Sequence, residues 1–132
     1  MKKVLILENG KTITRMVSLL FKNEDYKFLF PENHSAKTDL SRQIPDLIIA
    51  DLTSIKNKNV ELLMQLKNNP VISMVPFLLI TSPRESGSQN KKIEMAEQFS
   101  ILNYYLNKPF TNDELFSLIK RIIDHIDGLS PW

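Results

Sequence analysis

The stretch Pro45-Asp46-Leu47-Ile48-Ile49-Ala50-Asp51-Leu52-Thr53 decides the fold of this chain. Residues 47–50 are all apolar and do not alternate with polar residues. A short run of this kind is typical of a strand buried on both faces, as in a parallel sheet. Asp51 follows the run, and open parallel sheets present functional side chains at the carboxyl ends of their strands. This stretch alone leaves two alternatives for Asp51: a reactive carboxylate, or a residue that starts a turn.

The other predicted strands resemble this one in length and composition. Residues 26–30 predict a strand that ends at Pro31, and we predict that this strand lies at an edge of the sheet. The remaining strands, at residues 4–7, 75–80 and 103–107, lead into Glu8-Asn9, Thr81-Ser82 and Lys108-Pro109, respectively.

Segments with helical spacing separate the strands. Apolar residues recur every three or four positions in residues 12–22 and 59–68, and residues 35–43 and 91–99 predict weaker helices. Thr111 and Glu114 match a capping box at the start of a last helix that ends near Gly128.

Strands that alternate with helices predict right-handed crossovers and a parallel sheet covered on both faces. We therefore predict an α/β fold, a doubly wound five-stranded parallel sheet in the flavodoxin-like order 2-1-3-4-5 with helices on both faces. In this order the two most apolar strands lie side by side at the centre. Residues 1–128 are predicted to form one domain, and residues 129–132 a tail or the start of a linker.

Composition excludes several classes of function. Seventeen basic and fifteen acidic residues in a chain of 132 leave a formal charge of +2, too balanced to indicate direct binding of nucleic acid or a membrane surface. The chain has no cysteine, which excludes thiol catalysis and zinc–thiolate sites. The apolar run of residues 4–7 is too short for a signal peptide or a transmembrane span, so we expect a cytoplasmic location.

The polar residues at the strand ends favour one chemistry. Glu8, Asp51, Thr81 and Lys108 each follow a different strand, and in a doubly wound sheet these ends converge. A carboxylate can accept a phosphoryl group as a nucleophile, while a cation held by acidic neighbours offsets the charge. A lysine and a hydroxyl then bind the other phosphoryl oxygens.

At this point the sequence resembles, over nearly its whole length, the response regulator receiver domain of two-component signalling. The residues that carry the resemblance are Val4-Leu5-Ile6-Leu7-Glu8-Asn9, Pro45-Asp46-Leu47-Ile48-Ile49-Ala50-Asp51, Val75-Pro76-Phe77-Leu78-Leu79-Ile80-Thr81-Ser82 and Tyr104-Tyr105-Leu106-Asn107-Lys108-Pro109-Phe110.

The resemblance implies a role for each strand end. Asp51 would be the phospho-acceptor, and Thr81 and Lys108 would contact the phosphoryl group. Thr81 and Tyr105 would form the switch, with the aromatic ring turning inward when Thr81 moves. The peptide bond between Lys108 and Pro109 would be cis.

The resemblance also implies a Mg²⁺ site, and here the sequence departs from the family. Glu8, Asn9, Asp51 and the backbone carbonyl of Thr53 would hold the ion. The family usually has Asp where this chain has Asn9, and an amide oxygen brings no charge to the cation. We therefore expect weak Mg²⁺ binding. The loop after Asp51 also differs, since Ser54-Ile55 replace a usual Met-Pro pair.

Two functions follow from the resemblance. In the first, Asp51 accepts a phosphoryl group from a histidine kinase or phosphotransfer protein. An interaction face made of predicted helix 4 (residues 91–99), strand 5 and the last helix then changes its affinity for an output domain, a target protein or a second copy in a homodimer. The alternative is a degenerate receiver that binds proteins without phosphorylation, because Asn9 replaces a metal-binding Asp. Neither function is that of an enzyme.

Overall fold

A computed structural model of the protein describes residues 1–30, 44–53, 61, 65, 70, 72–82 and 103–128. The described residues form a five-stranded, all-parallel sheet in the order β2-β1-β3-β4-β5, with two described helices. The elements in chain order are β1 (Lys2–Leu7), α1 (Thr12–Leu20), β2 (Tyr26–Leu29), β3 (Leu47–Asp51), β4 (Phe77–Thr81), β5 (Asn103–Asn107) and α2 (Asn112–Gly128).

The predicted strand order is confirmed, and it places the most apolar strands at the centre. β3 pairs with β1 on one side and with β4 on the other, with Ile48 opposite both Leu5 and Phe77. Every residue of β3 and β4 is buried. Burial on both faces explains why these strands read as unbroken apolar runs without alternation.

One face of the sheet packs against α1 and α2. Side chains alternate between the two faces of a strand, so Val4 and Ile6 share a face, as do Leu47 and Ile49. These residues belong to one buried cluster with the inward residues of both helices, which are Ile13, Val17, Leu115, Ile119, Ile122 and Ile123. The predicted apolar stripe of the last helix is therefore core, and it fixes α2 on the same side of the sheet as α1.

The start of α1 depends on a side chain from the end of β1. Lys11 precedes the helix and provides no side-chain cap. The carboxylate of Glu8 accepts hydrogen bonds from the backbone amides of Ile13 at 3.0 Å and Thr14 at 2.8 Å, and from the Thr14 hydroxyl at 2.6 Å. Gly10 lies between Glu8 and α1 with φ +102°, a backbone conformation that residues with a Cβ rarely adopt. Glu8 therefore accepts hydrogen bonds from backbone amides that the first turn of a helix would otherwise leave unpaired.

An aromatic cluster joins α1, β2 and α2 at the other end of the sheet. The Phe21 ring lies 4.7 Å from both the Tyr26 and the Phe116 ring centroids. Lys120 Nζ lies 5.6 Å from the Tyr26 ring centroid and 3.3 Å from Glu24 Oε2. An ion pair that is about one-third exposed contributes little to stability, so the ring contacts are the stronger link between α2 and Tyr26 and Phe21.

Some element boundaries differ from the prediction. The predicted strand 75–80 begins at Phe77, after a short 3-10 turn over Ile72–Met74. Pro76 has no amide hydrogen to donate to a sheet, although its carbonyl accepts from the Ile48 amide at 3.0 Å. Of the predicted helix 59–68 the structure describes only Glu61 and Gln65, both helical, and predicted helices 35–43 and 91–99 lie outside the described residues. None of the helices described is both long and apolar enough to cross a membrane.

The predicted capping box at the start of α2 is confirmed and gives a stability test. The Glu114 amide donates to the Thr111 hydroxyl, and the Thr111 amide donates to the Glu114 carboxylate, both at 3.1 Å. We expect Thr111→Ala to lower the free energy of unfolding by about 1 kcal/mol in urea denaturation. Thr111→Ser keeps the hydroxyl and should stay close to wild type. Equal losses in both variants would contradict a capping role.

Tyr26 predicts a loss of stability at alkaline pH. Burial, with the negative charges of Asp124 and Glu24 adding to it, raises the pKa of the Tyr26 hydroxyl to about 12. The folded state therefore holds this proton more tightly than the unfolded state, so the stabilisation is complete below pH ~10 and is lost as pH rises towards 12. We expect wild type, but not Tyr26→Phe, to show this added loss in the free energy of unfolding. Identical pH profiles for the two proteins would disprove it.

Candidate functional site

Asp51, Thr53 and Lys108 form a closed hydrogen-bonded group at the carboxyl end of β3. Lys108 Nζ donates to Asp51 Oδ2 at 2.9 Å and to Thr53 Oγ1 at 2.7 Å. Thr53 Oγ1 donates in turn to Asp51 Oδ1 at 2.6 Å, and the Thr53 amide donates to the same oxygen at 3.0 Å. Both carboxylate oxygens of Asp51 therefore accept hydrogen bonds from this group.

The sheet explains why these residues meet. Asp51 is the last residue of β3 and only 2 % exposed, because β1 and β4 flank its strand. Lys108 follows β5, and its amide donates to the Thr81 carbonyl at 2.8 Å, which continues the pairing of β4 and β5 by one residue. The peptide bond between Lys108 and Pro109 is cis. The Lys108 side chain is still 37 % exposed, so the ion pair remains open to solvent on the side of the lysine.

Thr81 makes its side-chain hydrogen bond to a residue that the sequence analysis did not select. Its hydroxyl donates to Asn107 Oδ1, and Thr81 lies opposite Asn107 in the register of β4 and β5. Thr81 is 6 % exposed, whereas Tyr105, the predicted aromatic partner in the switch, is 46 % exposed. Tyr105 precedes Asn107 by two residues, so both side chains leave the same face of β5.

The residues predicted to bind Mg²⁺ differ in their contacts in the structure. Asp51 is paired with Lys108, while Glu8 binds the first turn of α1 and Asn9 is exposed in the loop before that helix. Within the described part of the chain, no three histidine, cysteine or acidic residues gather into a metal-binding group. The donors predicted from sequence are all oxygens, which fits a hard cation such as Mg²⁺, but Glu8 and Asp51 are the two that carry charge.

Sequence reasoning missed two side-chain roles. The sequence predicts a role for the backbone carbonyl of Thr53, yet in the structure the Thr53 hydroxyl bridges Asp51 and Lys108. For Asn107 it predicts no role beyond the end of the last strand. Its position offered a signal, because a polar residue just before Lys108 lies beside the end of β4 once the strand order is known.

This arrangement suits a reaction at the Asp51 carboxylate. A buried carboxylate is costly unless a positive charge or hydrogen-bond donors compensate it, and Lys108 provides both. The same lysine can bind oxygens of an incoming anionic group, since its ammonium has three donors on a flexible stem. The site therefore combines a buried carboxylate with an ammonium group that can bind a further anionic oxygen.

No family model matches the chain. The chain is 32 % identical over 123 residues to histidine kinase P4 of Formosa agariphila, covering 92 % of this chain and 8 % of that protein. It is 22 % identical over 130 residues to the phosphate regulon transcriptional regulatory protein PhoB of Escherichia coli, covering 98 % of this chain and 55 % of PhoB. The chain thus spans about half the length of PhoB and a small part of the kinase.

Solved structures share the fold. The signal receiver domain of a signal transduction histidine kinase from Syntrophus aciditrophicus superposes with a TM-score of 0.71 at 20 % identity, covering 100 % of this chain and 97 % of that one. The receiver domain of sensor histidine kinase PA1611 from Pseudomonas aeruginosa superposes with a TM-score of 0.66 at 20 % identity, covering 93 % and 98 %. That crystal structure has a magnesium ion coordinated in the active site cleft.

The strand order, the buried acid after β3 and these similarities agree with one another. The resemblance predicted from the strand ends is confirmed: this chain has the flavodoxin-like fold of a response regulator receiver domain.

Proposed function

We propose that residues 1–128 act as a receiver that accepts a phosphoryl group on Asp51 from a histidine kinase or phosphotransfer protein, with residues 129–132 as a tail or linker. The observation that carries this proposal is the pairing of Asp51 with Lys108 at 2.9 Å at the end of the central strand. Asp51 is nearly fully buried, and its charge compensator comes from a strand two places away in the sheet.

The transfer is a displacement at phosphorus. A carboxylate oxygen of Asp51 forms the new P–O bond, the P–N bond of the phosphohistidine donor breaks, and its electron pair stays on the imidazole. The product is an acyl phosphate that carries more negative charge than the carboxylate did. Lys108 then moves its hydrogen bonds from Asp51 to the phosphoryl oxygens, where an ammonium stabilises the charge that the reaction develops.

Mg²⁺ is the cofactor that the oxygen donors fit. Asp51, Glu8, the Asn9 amide oxygen and the Thr53 carbonyl would hold it, and the ion would offset negative charge as the donor approaches Asp51. Glu8 is already engaged by three donors at the start of α1. Because this engagement competes with a cation for the carboxylate and Asn9 adds no charge, the proposed affinity for Mg²⁺ is weak.

The proposed output is a change of protein contacts. Thr81 would move its hydroxyl to the phosphoryl group, Tyr105 would turn inward, and the face that includes β5 and α2 would change its affinity for an output domain, a target protein or a second copy. The similarity to a protein named as a histidine kinase and to one named as a transcriptional regulator supports partners of these two kinds. The Tyr105 side chain is 46 % exposed in this structure, so an inward turn would bury surface that is now accessible to solvent.

The second candidate function is a protein-binding module that works without phosphorylation. The exposed Asn9 favours it, since this position brings no charge to a cation. The hydrogen bonds of Thr53 and Lys108 also satisfy Asp51 without a ligand, as a purely structural buried ion pair requires.

Chemical phosphorylation separates the two functions. We expect incubation with acetyl phosphate and millimolar Mg²⁺ to add one phosphoryl group to the intact protein, detected by mass spectrometry, and chelation of Mg²⁺ to abolish the addition. Asp51→Asn should remove the modification completely. Asp124→Asn is the matched control, because Asp124 lies exposed on α2. If no adduct forms, or if Asp51→Asn still carries it, the receiver function fails.

Asn9→Asp tests the cause of the weak metal affinity. Two unit charges ~4 Å apart attract by ~1 kcal/mol even in bulk water, so a carboxylate next to a divalent cation should raise Mg²⁺ affinity roughly tenfold or more. Titration of Mg²⁺ followed by amide chemical shifts measures this change, with Asn112→Asp as a control outside the site. Unchanged affinity in Asn9→Asp would mean that residue 9 does not contact the ion.

A further inference from the structure

Thr81 and Asn107 form a side-chain pair that the proposed phosphotransfer does not use. The Thr81 hydroxyl donates its single proton to Asn107 Oδ1. The two residues are opposite each other at the ends of β4 and β5, where the backbone is also joined by the Lys108 amide and the Thr81 carbonyl at 2.8 Å. The side-chain bond is thus built on a fixed backbone register.

Thr81 depends on this hydrogen bond more than Asn107 does, because the two side chains differ in their access to water. Thr81 is 6 % exposed, so its hydroxyl has little access to water, whereas Asn107 is exposed. A buried hydroxyl that loses its partner is destabilised unless it finds another acceptor. A phosphoryl oxygen on Asp51 would be such an acceptor, and an exposed amide is readily solvated after the exchange.

We propose that Asn107 is a positioning residue that holds the proton of the Thr81 hydroxyl on its own amide oxygen and releases it only when a phosphoryl group competes for that proton. The proposal deepens the phosphotransfer function and rests on it for its consequence, since each phosphorylation must break this bond. Asn107 thereby sets a threshold: the anion on Asp51 must accept the Thr81 proton more strongly than the Asn107 amide oxygen does before Thr81 responds.

Asn107 lies between the other parts of the proposed switch. It directly precedes Lys108, which binds Asp51, and it shares a face of β5 with Tyr105. A change in the Thr81–Asn107 bond therefore acts on the strand segment that carries both the lysine and the aromatic residue. The Thr81–Asn107 bond thus connects Thr81 to both Lys108 and Tyr105 without a further side-chain partner of Thr81.

The first experiment needs no phosphorylation. Three-bond couplings of the Thr81 Cγ2 methyl to the backbone report its χ1 rotamer by NMR. We expect one fixed rotamer in wild type, averaging in Asn107→Ala, and a fixed rotamer again in Asn107→Asp, which keeps an acceptor oxygen in the same place. A rotamer that averages already in wild type, or one that stays fixed in Asn107→Ala, would overturn the holding role.

The second experiment measures the threshold with beryllofluoride, an analogue of the phosphoryl group, in the presence of Mg²⁺. We expect Asn107→Ala to bind beryllofluoride roughly fivefold more tightly than wild type. Wild type must break the Thr81–Asn107 hydrogen bond on binding, whereas the variant has no such bond to lose. In a Thr81→Ala background the same substitution should change nothing. Weaker or unchanged binding in Asn107→Ala, or an equal gain in both backgrounds, would contradict the proposal.

The two experiments also separate this inference from the proposed function. If wild type and Asp51→Asn respond identically to beryllofluoride, phosphorylation of Asp51 is disproved and the threshold has no role. The rotamer measurement still decides whether Asn107 holds Thr81.

Discussion

The structure depends most on the buried negative charge of Asp51. A carboxylate that is 2 % exposed is stable only with close compensation, and Lys108 supplies it from the far side of β4. This requirement ties the end of β3, together with Thr53, to the end of β5. The side chains in the core of the sheet, by contrast, are apolar, and the strands are joined by backbone hydrogen bonds. Among the ion pairs of the described residues, the Asp51–Lys108 pair has the most deeply buried carboxylate, and it joins the ends of two strands.

The two acidic residues at this edge differ in what they already do. Asp51 is paired with Lys108, whereas Glu8 accepts hydrogen bonds from the first turn of α1. Withdrawing Glu8 for a cation would cost hydrogen bonds at the start of α1, and withdrawing Lys108 would leave the buried Asp51 carboxylate without its ion-pair partner. Both acidic residues at the carboxyl ends of these strands are therefore already tied to structural partners.

Much of the fold could be predicted from sequence because the central strands are unbroken apolar runs and parallel sheets bring their carboxyl ends together. The pattern 47–50 before Asp51 and the box Thr111–Glu114 specify structure locally. The contacts of Glu8, the bridging hydroxyl of Thr53 and the pair Thr81–Asn107 depend on which side-chain rotamer is chosen and on which residues face each other across strands. Neither is encoded in local periodicity, so these parts of the site emerged only from the structure.

β5 is an edge strand of the described sheet and pairs with β4 alone. The aromatic cluster of Phe21, Tyr26 and Phe116 anchors α2 to α1 and β2, at the opposite side of the sheet. Phe116 lies in the second turn of α2, nine residues after Asn107. The segment that joins β5 to α2 is therefore held at both ends, by the pairing of β5 with β4 and by the ring contacts of Phe116. The length of this segment limits how far the margin of the sheet and the start of α2 can separate.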